Sequence, residues 1–216
     1  MNIVLFGPPG AGKGTQADYL VKNFSLHKIS TGDFLREEIN KKTNLGNEIK
    51  SFIDKGFFVS DEIINNLITS YLTSKKLFNN IIYDGYPRNV EQAKTLDKML
   101  KKNDQKISCI FTLNVDKETV VKRIMGRIVC SKCASVFNKY FNPPEESNHI
   151  CGSQYLNTRN DDNEETVVKR FDTYIKETLP ILKYYKEHAL LREIDGMAHI
   201  SQINKEIRGI IETLGT

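Results

Sequence analysis

The sequence predicts an α/β fold in which a five-stranded parallel sheet is flanked by helices. Short apolar or β-branched runs alternate with longer segments of helical periodicity, and this alternation is typical of parallel sheets wrapped by helices. The first run ends at a glycine-rich loop that leads straight into a helical segment. The predicted strands cover residues 3–6, 27–29, 80–83, 107–115 and 190–194.

Side chains that can cap a helix N-terminus indicate where the helices begin. Each is an acid, amide or hydroxyl just ahead of a segment with helical spacing, where its oxygen can accept from an unpaired backbone N–H. We also predict that Pro180 bends the helix that contains it, because proline lacks the N–H that continues the helical ladder. The predicted helix starts lie at Asp61, Asn89, Asp116, Asn163 and Ser201.

The loop at residues 7–15 reads GPPGAGKGT and predicts a phosphate-binding site. A strand that stops at a glycine loop and restarts as a helix points backbone N–H groups at one spot, which suits a polyphosphate. Lys13 adds a cation for the β and γ phosphates. The hydroxyl that commonly follows the lysine comes one residue later here, at Thr15 after Gly14. This P-loop spacing disfavours most GTPases and motor ATPases.

Length and composition favour a cytoplasmic protein that binds small ligands. The 216 residues suffice for one core with small insertions, or for two modest domains. There is no run of eighteen apolar residues and the chain begins with a core strand, so we expect no membrane association. The net charge of +4 is mild and spread along the chain, which favours small anionic ligands over nucleic acid.

Two stretches interrupt the alternation of strands and helices. We call residues 30–59 the first insertion, a small helical segment, and residues 127–163 the second insertion, which is rich in cysteine, aromatic and polar residues. The predicted core domain comprises residues 1–29, 60–126 and 164–216. Because both insertions leave the sheet near its predicted ligand crevice, we expect them to be mobile and to exclude water from a bound substrate.

The arginines are the candidate phosphate ligands. Only eight of the 31 lysines and arginines are arginine, and its planar donor fork grips a phosphate through two bonds, which lysine cannot do. Arg123 and Arg127 are four residues apart, so we expect them to share one face of the helix that starts near Asp116, although an exposed arginine pair at this spacing is often only a solvated face. We do not expect Arg192 and Arg208, which lie near the C-terminus, to bind phosphate.

Asp84 is the candidate magnesium-orienting carboxylate. It ends an apolar run, and a parallel strand there would deliver it to the crevice beside the glycine loop. A carboxylate at that position can orient water around Mg²⁺, which neutralises transferring phosphates. Arg88 follows four residues later, at the start of the next predicted helix.

Together these motifs resemble adenylate kinase of the long bacterial type. The matching strings are GPPGAGKGTQ (7–16), STGDFLR (30–36), DGYPR (84–88), KRIMGR (122–127) and RNDDNEETVVKR (159–170), in order over nearly the whole chain. The resemblance implies a nucleoside monophosphate kinase that reversibly transfers a phosphoryl group from MgATP to AMP, giving two ADP and serving adenine nucleotide homeostasis. It also implies a monomer, with the first insertion binding the nucleoside monophosphate (NMP) and the second acting as a lid.

The resemblance further implies three sets of site residues. The ATP set comprises Gly10, Ala11, Gly12, Lys13, Gly14, Thr15, Arg127, Val136, Phe137 and Ala198. The AMP set comprises Thr31, Arg36, the backbone of Phe57, Phe58 and Val59, then Gly85, Tyr86, Pro87, Arg88, Gln92, Arg159 and Arg170. The catalytic set comprises Lys13, Asp84, Arg88, Arg123, Arg159 and Arg170.

Three cysteines of the second insertion suggest a structural zinc site. Cys130 and Cys133 form a C-x-x-C knuckle and Cys151 follows within reach, which in a reducing compartment favours zinc over a disulfide. Free thiols remain the alternative. The fourth ligand is His149 or Asn148, and imidazole is the better ligand. Cys109, in an apolar run, is expected to be an inert core residue.

Two other functions remain open at the level of sequence. A UMP or CMP kinase would share most of these motifs, although Gln92 belongs to the pattern that resembles adenine-specific enzymes. A zinc-ribbon nucleic-acid binder that uses ATP as a switch would explain the C-x-x-C and the positive charge. It would not explain arginines scattered over five segments, and the chain lacks a dense basic and aromatic stripe.

Overall fold

The computed structural model describes residues 1–55, 57–186 and 190–214. The predicted insertion 30–59 and core segment 164–216 therefore each include residues outside this description. The strands are β1 (Asn2–Phe6), β2 (His27–Ser30), β3 (Ile81–Asp84), β4 (Cys109–Asn114), β5 (Arg127–Cys130), β6 (Val136–Asn138), β7 (Leu156–Asn157) and β8 (Leu190–Asp195). The α-helices are α1 (Lys13–Phe24), α2 (Thr31–Asn40), α3 (Asn44–Asp54), α4 (Asp61–Lys75), α5 (Val90–Lys101), α6 (Lys117–Met125), α7 (Glu164–Thr173), α8 (Pro180–Tyr185) and α9 (Ile200–Leu214).

Five parallel strands form the main sheet in the order β2-β3-β1-β4-β8, which confirms the predicted fold class. The register pairs Leu5 of β1 with Asp84 of β3, and Ser30 of β2 with the same Asp84. The carboxyl ends of β1, β2 and β3 therefore meet at one edge of the sheet. The loop that follows β1 and the carboxylate that ends β3 lie side by side there.

Apolar layers cover both faces of the sheet. Val4 and Phe6 of β1 pack with helices α2 to α5 and α8, whereas Ile3 and Leu5 face α1 and α9. This alternation follows from the two-residue period of a strand. All five β1 residues are buried, as expected for a central strand with helices on both sides. None of the described helices has the length and apolar character needed to cross a membrane.

Side-chain caps confirm three of the predicted helix starts. Asn89 accepts from the N–H of Gln92, Asp116 from that of Thr119 and Asn163 from that of Thr166. Asp61 is the first residue of α4. The start expected at Ser201 is wrong, because α9 begins at Ile200 and the residue at its cap position is His199. The Nδ1 atom of His199 accepts from the N–H of Ser201, and Oε1 of Gln202 accepts in return from the N–H of His199.

The distortion predicted at Pro180 lies in the turn that precedes it. A π-helical turn, Tyr174–Thr178, separates α7 from α8, and Pro180 occupies the first position of α8. The N–H of Leu179 donates to the carbonyl of Tyr174 at 2.9 Å. The helix widens because Pro180 cannot donate to the next carbonyl in the ladder.

Each insertion forms a compact unit beside the sheet. In the first insertion α2 packs on α3, and Ser30 caps α2 by accepting from the N–H of Asp33. The second insertion contains an antiparallel sheet of order β6-β5-β7. It emerges between α6 and α7, which pack through Val120, Ile124 and Val167. Both insertions therefore adjoin the ligand edge of the main sheet.

Candidate active site

The glycine loop joins β1 to α1 in a conformation that only glycine adopts freely. Gly10 has φ +76° and Gly12 has φ +97°, in the left-handed region where a side chain is disfavoured. A Cβ on Gly10 would also lie 2.8 Å from the Cγ1 atom of Ile124. The absence of a side chain at Gly10 therefore lets α6, which carries Arg123, pack directly against the loop.

Lys13 is half-buried at the end of this loop, where α1 begins. Its Nζ donates to the carbonyl oxygens of Gly7 at 2.7 Å and Pro8 at 2.9 Å. Burial lowers the pKa of Lys13 to about 8, an effect that Asp84 opposes and nearby arginines reinforce. Among the described residues the ammonium group forms no salt bridge, and an incoming phosphate can supply the missing anion.

A single cavity of about 770 Å³ gathers most of the predicted site residues. Its wall comes from the glycine loop, the ends of β2 and β3, α6 and both insertions. Six of the eight arginines line it, whereas Arg192 and Arg208 do not. The predicted residues on the wall are Gly10, Ala11, Gly12, Lys13, Gly14, Thr15, Arg36, Phe57, Phe58, Val59, Asp84, Gly85, Pro87, Arg88, Arg123, Arg127, Val136, Phe137, Arg159, Arg170 and Ala198.

Asp84 lies against the glycine loop, as the end of β3 requires. Its Oδ2 atom is 3.6 Å from the point that a Cβ on Gly14 would occupy. Burial raises the pKa of this carboxyl above its ordinary value, while Lys13 and Lys28 act in the opposite direction. A partly desolvated carboxylate beside the hydroxyl-bearing turn at Thr15 is a suitable donor set for a hydrated Mg²⁺.

Arg88 is held by neutral oxygens. Its Nε donates to the carbonyl of Gly85 at 2.8 Å, and its Nη2 donates to Oγ1 of Thr31 at 3.3 Å. Burial lowers the pKa of Arg88 to about 10, and the charge of Arg170 adds to that shift. At neutral pH the guanidinium remains protonated, and its charge is available to an anion in the cavity.

Two aspartates that orient arginines were missed by the sequence reasoning. Asp162 accepts two bonds from Arg127, at Nε (2.8 Å) and at Nη2, and Asp161 accepts from Nη2 of Arg170. The side chain of Asp162 is only 2% exposed. The sequence feature that could have identified them is the pair of adjacent aspartates two and three residues after Arg159. Asp162 thereby fixes the guanidinium plane of Arg127 in bidentate geometry, and Asp161 anchors one Nη atom of Arg170.

Three predicted AMP residues lie behind the cavity wall. Gln92 accepts from the N–H of Arg88 at 2.8 Å and donates through Nε2 to Asp61 at 2.6 Å. The hydroxyl of Tyr86 donates to Asn65, and that of Thr31 donates to the carbonyl of Gly85. In this structure these side chains support the segment that carries Arg88.

The second insertion brings three cysteines and one histidine together. The ligand-capable atoms of Cys130, Cys133, His149 and Cys151 all lie within 4.8 Å of one another. Within the described part of the chain the buried Nε2 of His149 has no hydrogen-bond partner. Asn148 is engaged elsewhere, because its side chain accepts from the N–H of Glu145 and donates to the carbonyl of Pro143. The donor set of three thiols and one imidazole fits zinc.

Cys109 lies apart from this cluster. It is fully buried in β4, and burial raises the pKa of its thiol to about 11. An apolar, protonated thiol is unreactive. The expectation that Cys109 is an inert core residue is confirmed.

The pKa of Lys13 predicts a basic limit to catalytic efficiency. A group whose pKa is lowered to about 8 loses its charge as the pH rises through that value. We therefore expect kcat/KM for the nucleotide bound at the glycine loop to fall about tenfold per pH unit above pH 8. The pH at which kcat begins to fall should be higher than that for kcat/KM, because a bound phosphate raises the pKa of Lys13. Initial rates from pH 6 to 10 test this, and a kcat/KM that stays level to pH 9.5 would contradict it.

The fold and the site together define a class. The protein has the features of a P-loop phosphotransferase that acts on phosphorylated nucleotides. These features are a parallel α/β sheet with a P-loop, a carboxylate at a strand end beside that loop, and six arginines around one cavity. The sequence profile that describes the family "Adenylate kinase" matches residues 5–190. The chain belongs to the adenylate kinase family.

Individual relatives agree over the full length. The chain is 48% identical to an adenylate kinase of Pelagibacter ubique, over 98% of this chain and all of the relative. It is 39% identical to one from Enterococcus faecalis and 40% identical to one from Archaeoglobus fulgidus, with at least 98% of each chain covered. As an adenylate kinase, a nucleoside monophosphate kinase, it transfers a phosphoryl group reversibly between MgATP and AMP to give two ADP. Of the alternatives left open by the sequence, this is the one that the matches support.

Proposed function

We propose that the cavity holds the two substrates in line, with ATP on the side of the second insertion and AMP on the side of the first. The observation that carries this arrangement is the clustering of six arginines and Lys13 around one cavity. Such a density of positive charge matches the phosphates of two nucleotides placed end to end.

In this proposal the ATP polyphosphate lies on the glycine loop. The backbone N–H groups from Gly10 to Thr15 and the ammonium of Lys13 receive the phosphate oxygens. Arg127, aligned by Asp162, and the wall formed by Val136, Phe137 and Ala198 flank the donor nucleotide. Asp84 would orient the water around the Mg²⁺ that accompanies ATP, and this ion would neutralise negative charge on the phosphates.

The AMP phosphate lies opposite, against Arg36 and Arg88. The adenine is received by the backbone of Phe57, Phe58 and Val59, a segment that also lines the cavity. Thr31, Gly85, Tyr86, Pro87 and Gln92 form the support of this half of the site. For Gln92 to contact the base, its amide would exchange its bond to Asp61 for one to adenine.

Transfer then depends on position and charge. The AMP phosphate oxygen is already anionic at neutral pH, so it can attack the γ-phosphoryl group without losing a proton and needs no general base. Arg123, Arg159 and Arg170 surround the transferred group and offset the charge that spreads over its oxygens. Closure of residues 30–59 and 127–163 over the core 1–29, 60–126 and 164–216 would exclude water, which otherwise hydrolyses ATP.

Preference for AMP as acceptor is tested by a coupled assay. AMP, CMP, UMP and GMP are offered separately with saturating MgATP, and kcat/KM is measured for each. We expect AMP to give the highest value, because the arrangement around Gln92 resembles the adenine-specific pattern. A higher value for UMP or CMP would overturn the base assignment while leaving the phosphoryl-transfer chemistry intact.

We propose that Cys130, Cys133, His149 and Cys151 hold a structural zinc ion. The short separation of the four ligand atoms and the unpartnered Nε2 of His149 support this. The second insertion contributes few residues to the apolar clusters, and a tetrahedral ion would pin β5 and the Cys151 loop together in place of a core.

Metal analysis and chelation test the zinc site. We expect one zinc per chain, and we expect chelation to lower the temperature of thermal unfolding more than it lowers kcat, since the ion lies outside the reacting groups. His149→Ala should lose zinc affinity, whereas the matched variant Asn148→Ala should keep it. A metal-free protein as purified, or loss of zinc in Asn148→Ala alone, would contradict this ligand set.

We further propose that the protein is a cytoplasmic monomer that does not bind nucleic acid or membranes. The mild, dispersed charge supports this. The described cysteines form no disulfide, which supports a location in a reducing compartment such as the cytoplasm. Sedimentation at micromolar concentration tests the oligomeric state.

A further inference from the structure

The ring of Phe58 lies against the guanidinium group of Arg88. The Cζ atom of Arg88 is 4.9 Å from the ring centroid, within the range of a cation–π interaction. Phe58 follows α3 in the first insertion, and its side chain is half-buried in the cavity wall. The contact therefore joins the first insertion to the loop after β3.

Arg88 differs from two other arginines of the cavity in its partners. Arg127 and Arg170 are paired with Asp162 and Asp161. Among the described residues Arg88 makes no such ion pair, and its hydrogen bonds go to a carbonyl and a hydroxyl. Its Nη1 donates to none of the described residues. The ring of Phe58 covers part of this half-buried cation.

An aromatic face suits this position for a physical reason. It attracts a cation through its quadrupole without accepting an N–H in the guanidinium plane and without cancelling the positive charge. A carboxylate in the same place would compete with a phosphate for the donor fork. Phe58 can thus keep Arg88 oriented and charged while its remaining N–H groups stay available.

We propose that Phe58 is a positioning residue for the acceptor phosphate, acting through the guanidinium group of Arg88. This inference rests on the proposed role of Arg88 in binding AMP. It assigns to the side chain of Phe58 a function separate from the backbone contact that the family resemblance implies.

Stepwise fluorination of the ring tests the proposal. Fluorine withdraws electron density from the ring face with little change of shape, so mono-, di-, tri- and pentafluorophenylalanine are placed at position 58. Calorimetric titration of the full chain with AMP should show a progressive loss of affinity, reaching about threefold to thirtyfold for the pentafluoro ring. The affinity for adenosine, which has no phosphate, should remain constant. Affinity for AMP that is constant through the series would overturn the proposal.

A matched control uses a second cation–π pair whose residues do not line the cavity. The ring of Phe171 lies 5.7 Å from Nζ of Lys117, also in a cation–π arrangement, but neither residue lines the cavity. Pentafluorophenylalanine at position 171 should leave the AMP affinity unchanged. If AMP affinity falls as much as it does for the position 58 variant, the cause is general destabilisation of the protein, and the proposal is overturned.

Conventional variants separate the proposed role of Phe58 from the proposed role of Arg88. Phe58→Tyr should retain AMP affinity and Phe58→Leu should lose it, with adenosine binding equal in both. If Arg88→Lys weakens AMP binding while the fluorinated series is level, only the role of Phe58 fails. If Arg88→Lys binds AMP normally, the proposed role of Arg88 fails as well.

Discussion

Replacing Arg88 by lysine is expected to lower kcat by about a hundredfold to a thousandfold. Lysine keeps the positive charge but loses the planar fork that binds two phosphate oxygens at once. It also cannot reproduce the pair of bonds to Gly85 and Thr31 that fixes the orientation of Arg88. Steady-state rates with saturating MgATP and AMP measure the effect.

The fold should survive this substitution. Arg88 pairs with no described acid, so Arg88→Lys leaves no carboxylate unpaired and the unfolding temperature should change little. Arg208→Lys is the matched control, because Arg208 lies on the exposed side of α9, outside the cavity, and forms a salt bridge with Glu212. Its kcat should equal that of the parent. Near-normal turnover in Arg88→Lys would contradict the proposed role.

Replacing Lys13 by glutamine is the second change with a large expected effect. We expect kcat/KM for MgATP to fall by about a hundredfold to a thousandfold, because the cation facing the β and γ phosphates is lost. The glutamine amide can still donate to the carbonyls of Gly7 or Pro8, so the loop can keep its shape. Lys101→Gln, an exposed change at the end of α5, is the control and should be unaffected.

Stability should change in the opposite direction to activity. The pKa of Lys13 lies at about 8 in the folded protein, below the value of about 10.4 expected for an unfolded chain. The charged form is therefore disfavoured by folding, fully so below pH 8, and the penalty disappears as the pH rises toward 10.4. At pH 7 Lys13→Gln should unfold at a higher temperature than the parent, and the difference should shrink by pH 10. A lower unfolding temperature at pH 7 would show that the ammonium stabilises the loop.

Much of the fold could be predicted because its signals are local. Asn89 and Asp116 were identified as helix starts, since a cap acts on an N–H only three residues away. The glycine loop was identified from nine consecutive residues, because its conformation and its ligand both depend on backbone groups in that stretch. Ser201 is not the cap, because the ring of His199 accepts from the N–H of Ser201, and histidine is not among the usual capping residues.

The sequence by itself determined the class of fold, the P-loop and the set of arginines, because strand period, glycine spacing and the choice of arginine over lysine are properties of neighbouring residues. Only the tertiary structure decided which acid holds which arginine, as with Asp162 and Arg127. It also decided that His149 and not Asn148 faces the thiols, and that Phe58 covers Arg88. Some of these contacts join segments that are far apart in the chain, and others depend on the direction in which one side chain points. Local sequence spacing determines neither property.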